Sequence, residues 1–143
     1  IADENLIIFK FPVRKLNYRR QEILEILIKL RNQHNPDLIF LPSLNDVHQD
    51  HKTISEEGLR AFKNKTILGY ELIWNNLKFN TDCFFSLTKK HVDLKVLALQ
   101  EYETQRNRPY MTEEFIYSLA RVRGVQIGFE FAETFELIRW VIK

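Results

Sequence analysis

Residues 18–42 set the architecture of this chain, because an amphipathic helical pattern runs there into an unbroken apolar segment. Ile23, Ile26, Leu27 and Leu30 recur at helical spacing, and Leu24 and Ile28 widen them into a broad core face. Glu22, Glu25, Lys29 and Asn32 take the opposite side. Glu25 and Lys29 are spaced for an i,i+4 ion pair, worth about 0.2–0.5 kcal/mol. The helix predicted over 18–34 is broken by NPD at 35–37. LIFLP (38–42) follows, continuous and apolar, as in a central parallel strand covered on both faces.

The alternation continues along the chain. NLIIFKF (5–11), closed by Pro12, reads as a buried strand. A second helix is expected to start near Thr53, because Thr53 and Glu56 have capping-box spacing, with Leu59 and Phe62 on its apolar face. TILGYELIW (66–74) and CFFSL (83–87) read as strands joined by the loop NNLKFNTD. Val92, Val96, Leu99 and Tyr102 mark a helix over 90–105, with Thr88 as its N-cap. A further helix over 113–123 turns Phe115, Ile116, Leu119 and Ala120 inward, with Gly124 as its terminator. FELIRWVIK (135–143) reads as a final strand. The order β-α-β-α-β-β-α-α-β predicts an α/β fold, a Rossmann-like three-layer α/β/α sandwich with a mostly parallel sheet. At 143 residues the chain suits one domain spanning 1–143, and no repeat, low-complexity segment or linker divides it.

Charge and composition narrow the function classes. The formal charge is +2, and the densest basic group, Arg14, Lys15, Arg19 and Arg20, is no stripe for nucleic acid. No apolar run approaches the roughly 20 residues of a membrane span, and no signal peptide is visible. Cys83 is the single cysteine, which excludes an internal disulfide and fits a reducing cytoplasm. Gly58, Gly69, Gly124 and Gly128 are scattered, so no glycine-rich turn is present to cradle phosphates.

Chemistry gathers in DVHQDH (46–51). In open parallel sheets, ligands collect beyond the carboxyl ends of the strands, and this loop leaves such an end. His48 and His51 offer imidazole nitrogens, and Asp46 and Asp50 offer carboxylates. A catalytic zinc takes three protein ligands and keeps a position for water. Asp50 suits a metal ligand or a group that orients an imidazole. The same residues also read as a solvated loop in which Asp50 or Thr53 caps the next helix. His34 and His91 lie at helix ends and read as surface or capping residues.

PSLNDVHQDH, preceded by NPDLIFL and followed by a helix, resembles the second motif of the PIG-L/LmbE family of zinc-dependent N-acetylsugar deacetylases. The family pattern D-x-H-x-D-H is matched by Asp46, His48, Asp50 and His51. RRQEILEILI, ALQEYETQ (98–105) and RVRGVQIGFEFAETFELIRW also resemble family segments, with Phe131 where tyrosine is commoner. The family's first motif, HPDDE, does not occur in the chain. By this resemblance the chain is the C-terminal part of a family domain, lacking the first strand, its catalytic loop and a following helix.

The resemblance implies roles for single residues. His51 is a ligand of Zn2+ or another divalent metal, with two further ligands and the general base coming from the absent motif. His48 stabilises the oxyanion and protonates the leaving amine, a role that suits a group with an unperturbed pKa of about 6.5. Asp50 orients His48 and favours its charged form. Tyr102, Gln105 and Arg123 contact the sugar. Asp46 and Glu133 are supporting residues, and Glu133 is expected to pair with Arg121 or Arg123. Tyr102 also reads as a core aromatic. The implied partner is an N-acetylated sugar or its conjugate, together with self-association or association with the missing segment, and the implied setting is cytoplasmic. The alternative is an inactive truncated α/β domain used for sugar binding or assembly.

Overall fold

The computed structural model describes residues 5–142. Helix α1 (Arg20–His34) is entered through a 3₁₀ turn, Leu16–Arg19. Asn35 ends it in the left-handed region at φ 43°, donating its N–H to the Arg31 carbonyl at 2.8 Å. Asparagine is the residue other than glycine that most readily takes this terminating conformation. Then follow β1 (Leu38–Pro42), α2 (Gln49–Ala61), β2 (Thr66–Tyr70), β3 (Cys83–Leu87), α3 (Lys89–Gln100), α4 (Glu113–Gln126) and β4 (Phe131–Arg139).

The strands form one sheet in the order β1-β2-β4-β3. β1 and β2 pair in parallel, with Ile39 beside Ile67 and Leu41 beside Gly69. β4 is antiparallel to both β2 and β3. Three strands therefore run one way and β4 runs against them.

Strand alternation sends successive side chains to opposite faces. One face carries Leu41 and Ile67, and packs on Leu24 of α1, Ala61 of α2 and Phe62 just after it. The other carries Phe131, and packs on Val92 and Val96 of α3 and Ile116 and Ala120 of α4. This is the α/β/α sandwich expected from the alternation of elements. α3 and α4 are also joined across their surfaces, where Asp93 accepts from Tyr117 and from Lys89. The Tyr117 hydroxyl first, and then Lys89, hold the Asp93 carboxyl below the usual carboxylate range. Among the described residues no helix is long and apolar enough to cross a membrane.

Several elements differ from the sequence expectation. Residues 6–11 form no strand, and Leu6, Ile7, Ile8 and Phe9 are exposed. An apolar run makes a buried strand only where a sheet edge receives it. This one instead lies along Ile23, Ile26 and Leu27 of α1. α2 begins at Gln49, ahead of Thr53, whose hydroxyl turns back to the Gln49 carbonyl at 2.9 Å. That bond is the i−4 alternative open to a threonine inside a helix. Glu25 accepts from Gln21 at 2.9 Å, and no ion pair with Lys29 forms among the described residues.

α3 stops at Gln100, so Tyr102 lies outside it and Gln105 sits in the 3₁₀ turn Glu103–Gln105. Thr88 caps α3 as expected, in a reciprocal capping box with His91. Gly124 does not end α4. A Cβ there would stand 2.7 Å from the carbonyl oxygens of Phe129 and Glu130, so glycine serves close approach. The turn itself falls to Gly128, at φ 75°. β4 starts at Phe131, earlier than the expected 135, and ends at Arg139.

Candidate active site around the histidine loop

The loop leaving β1 is tied to the sheet by a buried carboxylate. Glu136, on β4, is 4% exposed. It accepts from Ser43 Oγ at 2.5 Å, Asn45 Nδ2 at 2.8 Å and the Asn80 amide at 3.3 Å. Three donors on one carboxylate suit its ionised, acceptor-only form. They fix the direction in which residues 43–48 depart.

Asp46 organises the next layer. Its side chain is fully buried, whereas that of His51 is 33% exposed. Asp46 Oδ1 accepts from the His48 amide at 2.8 Å, and Oδ2 accepts from His51 Nδ1 at 2.7 Å. Asn75 Nδ2 approaches the same oxygen at 3.4 Å and His51 Nδ1 at 3.3 Å. The Val47 amide donates to the Asn75 carbonyl at 3.2 Å, joining the loop after β2 to the histidine loop.

Hydrogen bonding then sets the tautomers. A carboxylate can only accept, so the proton of neutral His51 sits on Nδ1 and its Nε2 lone pair is free. His48 is the N-cap of α2, and its Nδ1 accepts from the Asp50 amide at 3.2 Å. Its proton therefore sits on Nε2. The two rings lie 4.5 Å apart, tilted by 32°. One loop thus holds two neighbouring imidazoles whose hydrogen bonds favour opposite tautomers, leaving a lone pair on Nε2 of His51 and an N–H on Nε2 of His48.

Asp50 does not hold His48 through its carboxylate. Its oxygens accept from the Arg14 amide at 2.6 Å and the Leu16 amide at 3.2 Å, anchoring the chain before α1. Only its backbone N–H reaches the imidazole. Glu133 pairs with Lys95 rather than with Arg121 or Arg123. Arg121 pairs with Glu130, and Arg123 is bound through two nitrogens to Glu71 and through a third to Gln126. Tyr102 is 61% exposed, which rules out the core reading.

Gln105 accepts from the Tyr110 hydroxyl at 3.1 Å, and the Tyr110 ring lies 5.4 Å from that of Trp74, the neighbour of Asn75. Asp46, His48 and His51 thus come together. Among the described residues, no hydrogen bond, ion pair or ring contact joins them to Tyr102, Gln105, Arg123 or Glu133. Ser43, Asn75 and Glu136 complete the cluster, and none of the three is among the residues expected from sequence. The run after β1 marks Ser43 and the alternation of β4 marks Glu136. Asn75 carries no signal in a loop without a pattern.

Among the described residues no group of three histidine, cysteine, aspartate or glutamate side chains is placed to hold a metal. His51 Nε2 is a suitable donor with its other nitrogen on a carboxylate, the usual arrangement of a metal-bound histidine. One such nitrogen falls short of the three protein ligands of a catalytic zinc.

No family model matches the chain, and no curated protein matches it by sequence. Its fold, however, is found in solved structures. The conserved protein TT1542 from Thermus thermophilus superposes with a TM-score of 0.69 at 20% identity, over 86% of this chain and 60% of that one. The N,N'-diacetylchitobiose deacetylase from Pyrococcus horikoshii, solved with its inhibitor MPG, gives 0.67 at 19% identity, over 89% of this chain and 54% of that one. The zinc inhibited form of teicoplanin deacetylase Orf2 gives 0.66 at 15% identity, over 94% of this chain and 56% of that one. The fold is therefore one that two deacetylases share, and the chain spans 54% to 60% of the length of these structures.

Proposed function

We propose that this chain carries part of the active site of a PIG-L/LmbE-type deacetylase, which hydrolyses the acetamide of an N-acetylated amino sugar or its conjugate. The observation that carries the reading is the pair of imidazoles in opposite tautomers, fixed by Asp46 and by the first turn of α2. Amide hydrolysis needs a donor for the oxygen that gains charge and a proton for the departing nitrogen. His48 donates to that oxygen from Nε2, and the departing nitrogen takes the proton that the general base, outside the described residues, removes from the attacking water. His51 Nε2 is one ligand of a zinc or another divalent metal, whose other ligands lie outside the described residues. Asp46 sets the His51 ring, and Asn75 supports Asp46. Asp50 acts on His48 through its amide, while its carboxylate anchors residues 14–16.

Tyr102, Gln105 and Arg123 are the proposed sugar contacts. The chain from Gln105 through Tyr110 to Trp74 supports Gln105, because it ends beside Asn75. Arg123, held by Glu71, acts as a wall residue. Glu133 supports α3 through Lys95. The outer edge of β1, which bears no strand among the described residues, supports a further strand there, as expected if the family's first strand lies upstream. A cytoplasmic setting, with Cys83 a free thiol, belongs to the same reading.

The test is acetate release from N-acetylglucosamine and its glycosides, with zinc, by the polypeptide that the gene encodes. His48→Ala and His51→Ala are each expected to lower kcat/KM by at least ~100-fold, the scale of losing one oxyanion donor for His48 and a metal ligand for His51. The isolated chain is expected to be inactive. Variants that keep full rate would overturn the assignment.

A second reading is favoured by the single metal-binding nitrogen: an inactive domain that binds sugar. It predicts saturable sugar binding with no acetate released by the gene product.

A further inference from the structure

Between the sheet and helices α3 and α4 lies a cavity of about 310 Å³ that the histidine chemistry does not use. Leu87, Val92, Leu99, Ile116, Leu119 and Phe135 give its wall aliphatic and aromatic surface. Its four charged wall residues neutralise one another, Arg123 with Glu71 and Lys95 with Glu133. The Arg123 and Glu71 side chains are only 15% and 7% exposed, so neither charge is spare for an incoming ion. An anion or cation entering here would have to break a pair already made, whereas a hydrocarbon would meet aliphatic and aromatic surface.

Trp74 and Tyr110, packed against each other at 5.4 Å, contribute aromatic surface to the same wall, and Trp74 is 59% exposed. The cavity also adjoins the histidine loop. Leu72, Ile73 and Trp74 line it, and the next residue, Asn75, touches Asp46 and His51. Tyr70, another wall residue, has its phenol pushed up by burial and then by the charge of Asp46.

We propose that this cavity is a binding site for the hydrocarbon part of an amphiphilic glycoside, whose sugar lies across Trp74 towards the histidine loop. The position of the sugar rests on the deacetylase reading; the hydrocarbon site does not. An apolar cavity of ~150 Å³ admits benzene, so this one has room for about ten carbon atoms. Pockets of this size, apolar with a few polar groups at one side, are the ordinary form of small-molecule sites.

The test is a homologous series of n-alkyl N-acetyl-β-D-glucosaminides, from butyl to dodecyl, each kept below its micellar range. Binding is read by calorimetry and by Trp74 fluorescence in a Trp140→Phe background. Affinity is expected to rise about three- to fourfold per methylene and to level off once the cavity is full. Ala120→Leu narrows the cavity from α4, and Leu119→Trp does so from a half-buried position should the first variant fail to fold. In a folded variant the rise with chain length is expected to stop several methylenes earlier.

n-Octyl β-D-glucoside, which has no acetamide, separates this idea from the deacetylase reading. It is expected to bind in the cavity whether or not His51 is replaced by alanine. A flat series with free N-acetylglucosamine still bound would overturn the hydrocarbon site and leave the histidine reading standing. A series unchanged in both folded filling variants would overturn it as well.

Discussion

Glu136 shows how far a single side chain governs this site from a distance. It bears no counter-cation among the described residues, yet Ser43, Asn45 and the Asn80 amide all donate to it. Glu136→Gln introduces an amide NH₂ where only acceptors are wanted. Leaving a buried donor unpaired costs about 1–3 kcal/mol. Urea unfolding is expected to register that loss, and Glu133→Gln, on the exposed Lys95 pair, is expected to cost under about 1 kcal/mol. Asp46, His48 and His51 are legible in the sequence, because they sit within six residues after a strand end. The direction of the Asp50 carboxylate is not, since it depends on a coil that approaches from residues 14–16. The alternation of β4 marks Glu136 as inward-facing, but its partners are hidden for a related reason. Glu136 stands opposite Gly69 in the β2–β4 register, and pairing across such a distance leaves no local trace.

At the level of elements, helices are more legible than strands. α1 and α4 follow their apolar spacing, because a 3.6-residue period is a local property. NLIIFKF has strand composition but lies beside α1 rather than along the open edge of β1, and composition alone does not select that partner. The start of α2 escapes sequence reading because the N-cap is a histidine, outside the usual Ser, Thr, Asp and Asn set. Gly124 has the look of a terminator, whereas it lets α4 pass close under the Phe129 and Glu130 carbonyls. Those contacts are backbone and have little room to give. Gly124→Ala is therefore expected to destabilise the fold by about 1–3 kcal/mol, the scale of overpacking, despite alanine's better helix propensity. Thermal unfolding of this variant checks it, and a stabilised protein would show that the close approach is not tight.

The whole molecule is a sandwich with an exposed flank. β1 stands at one end of the sheet, and Leu38 and Phe40 are 41% and 47% exposed on it. An unguarded apolar edge is a template for pairing with another strand. Sedimentation velocity is expected to show concentration-dependent self-association of the isolated chain, reduced by Leu38→Lys, since an edge lysine opposes pairing. A monodisperse monomer across the range would mean that the edge is already protected. The same layering delivers the histidine loop to the end of β1 and keeps Asp46 out of water, and the deacetylase reading depends on that placement. The most direct test is a long-range proton–nitrogen NMR spectrum of the ring nitrogens of the four histidines, at alkaline pH where free imidazoles are neutral. His51 is expected as the Nδ1–H tautomer and His48 as Nε2–H, with the His51 preference lost in Asp46→Ala. A His51 ring protonated at Nε2 in the unaltered protein would contradict the account, because no lone pair would then face outward for a metal.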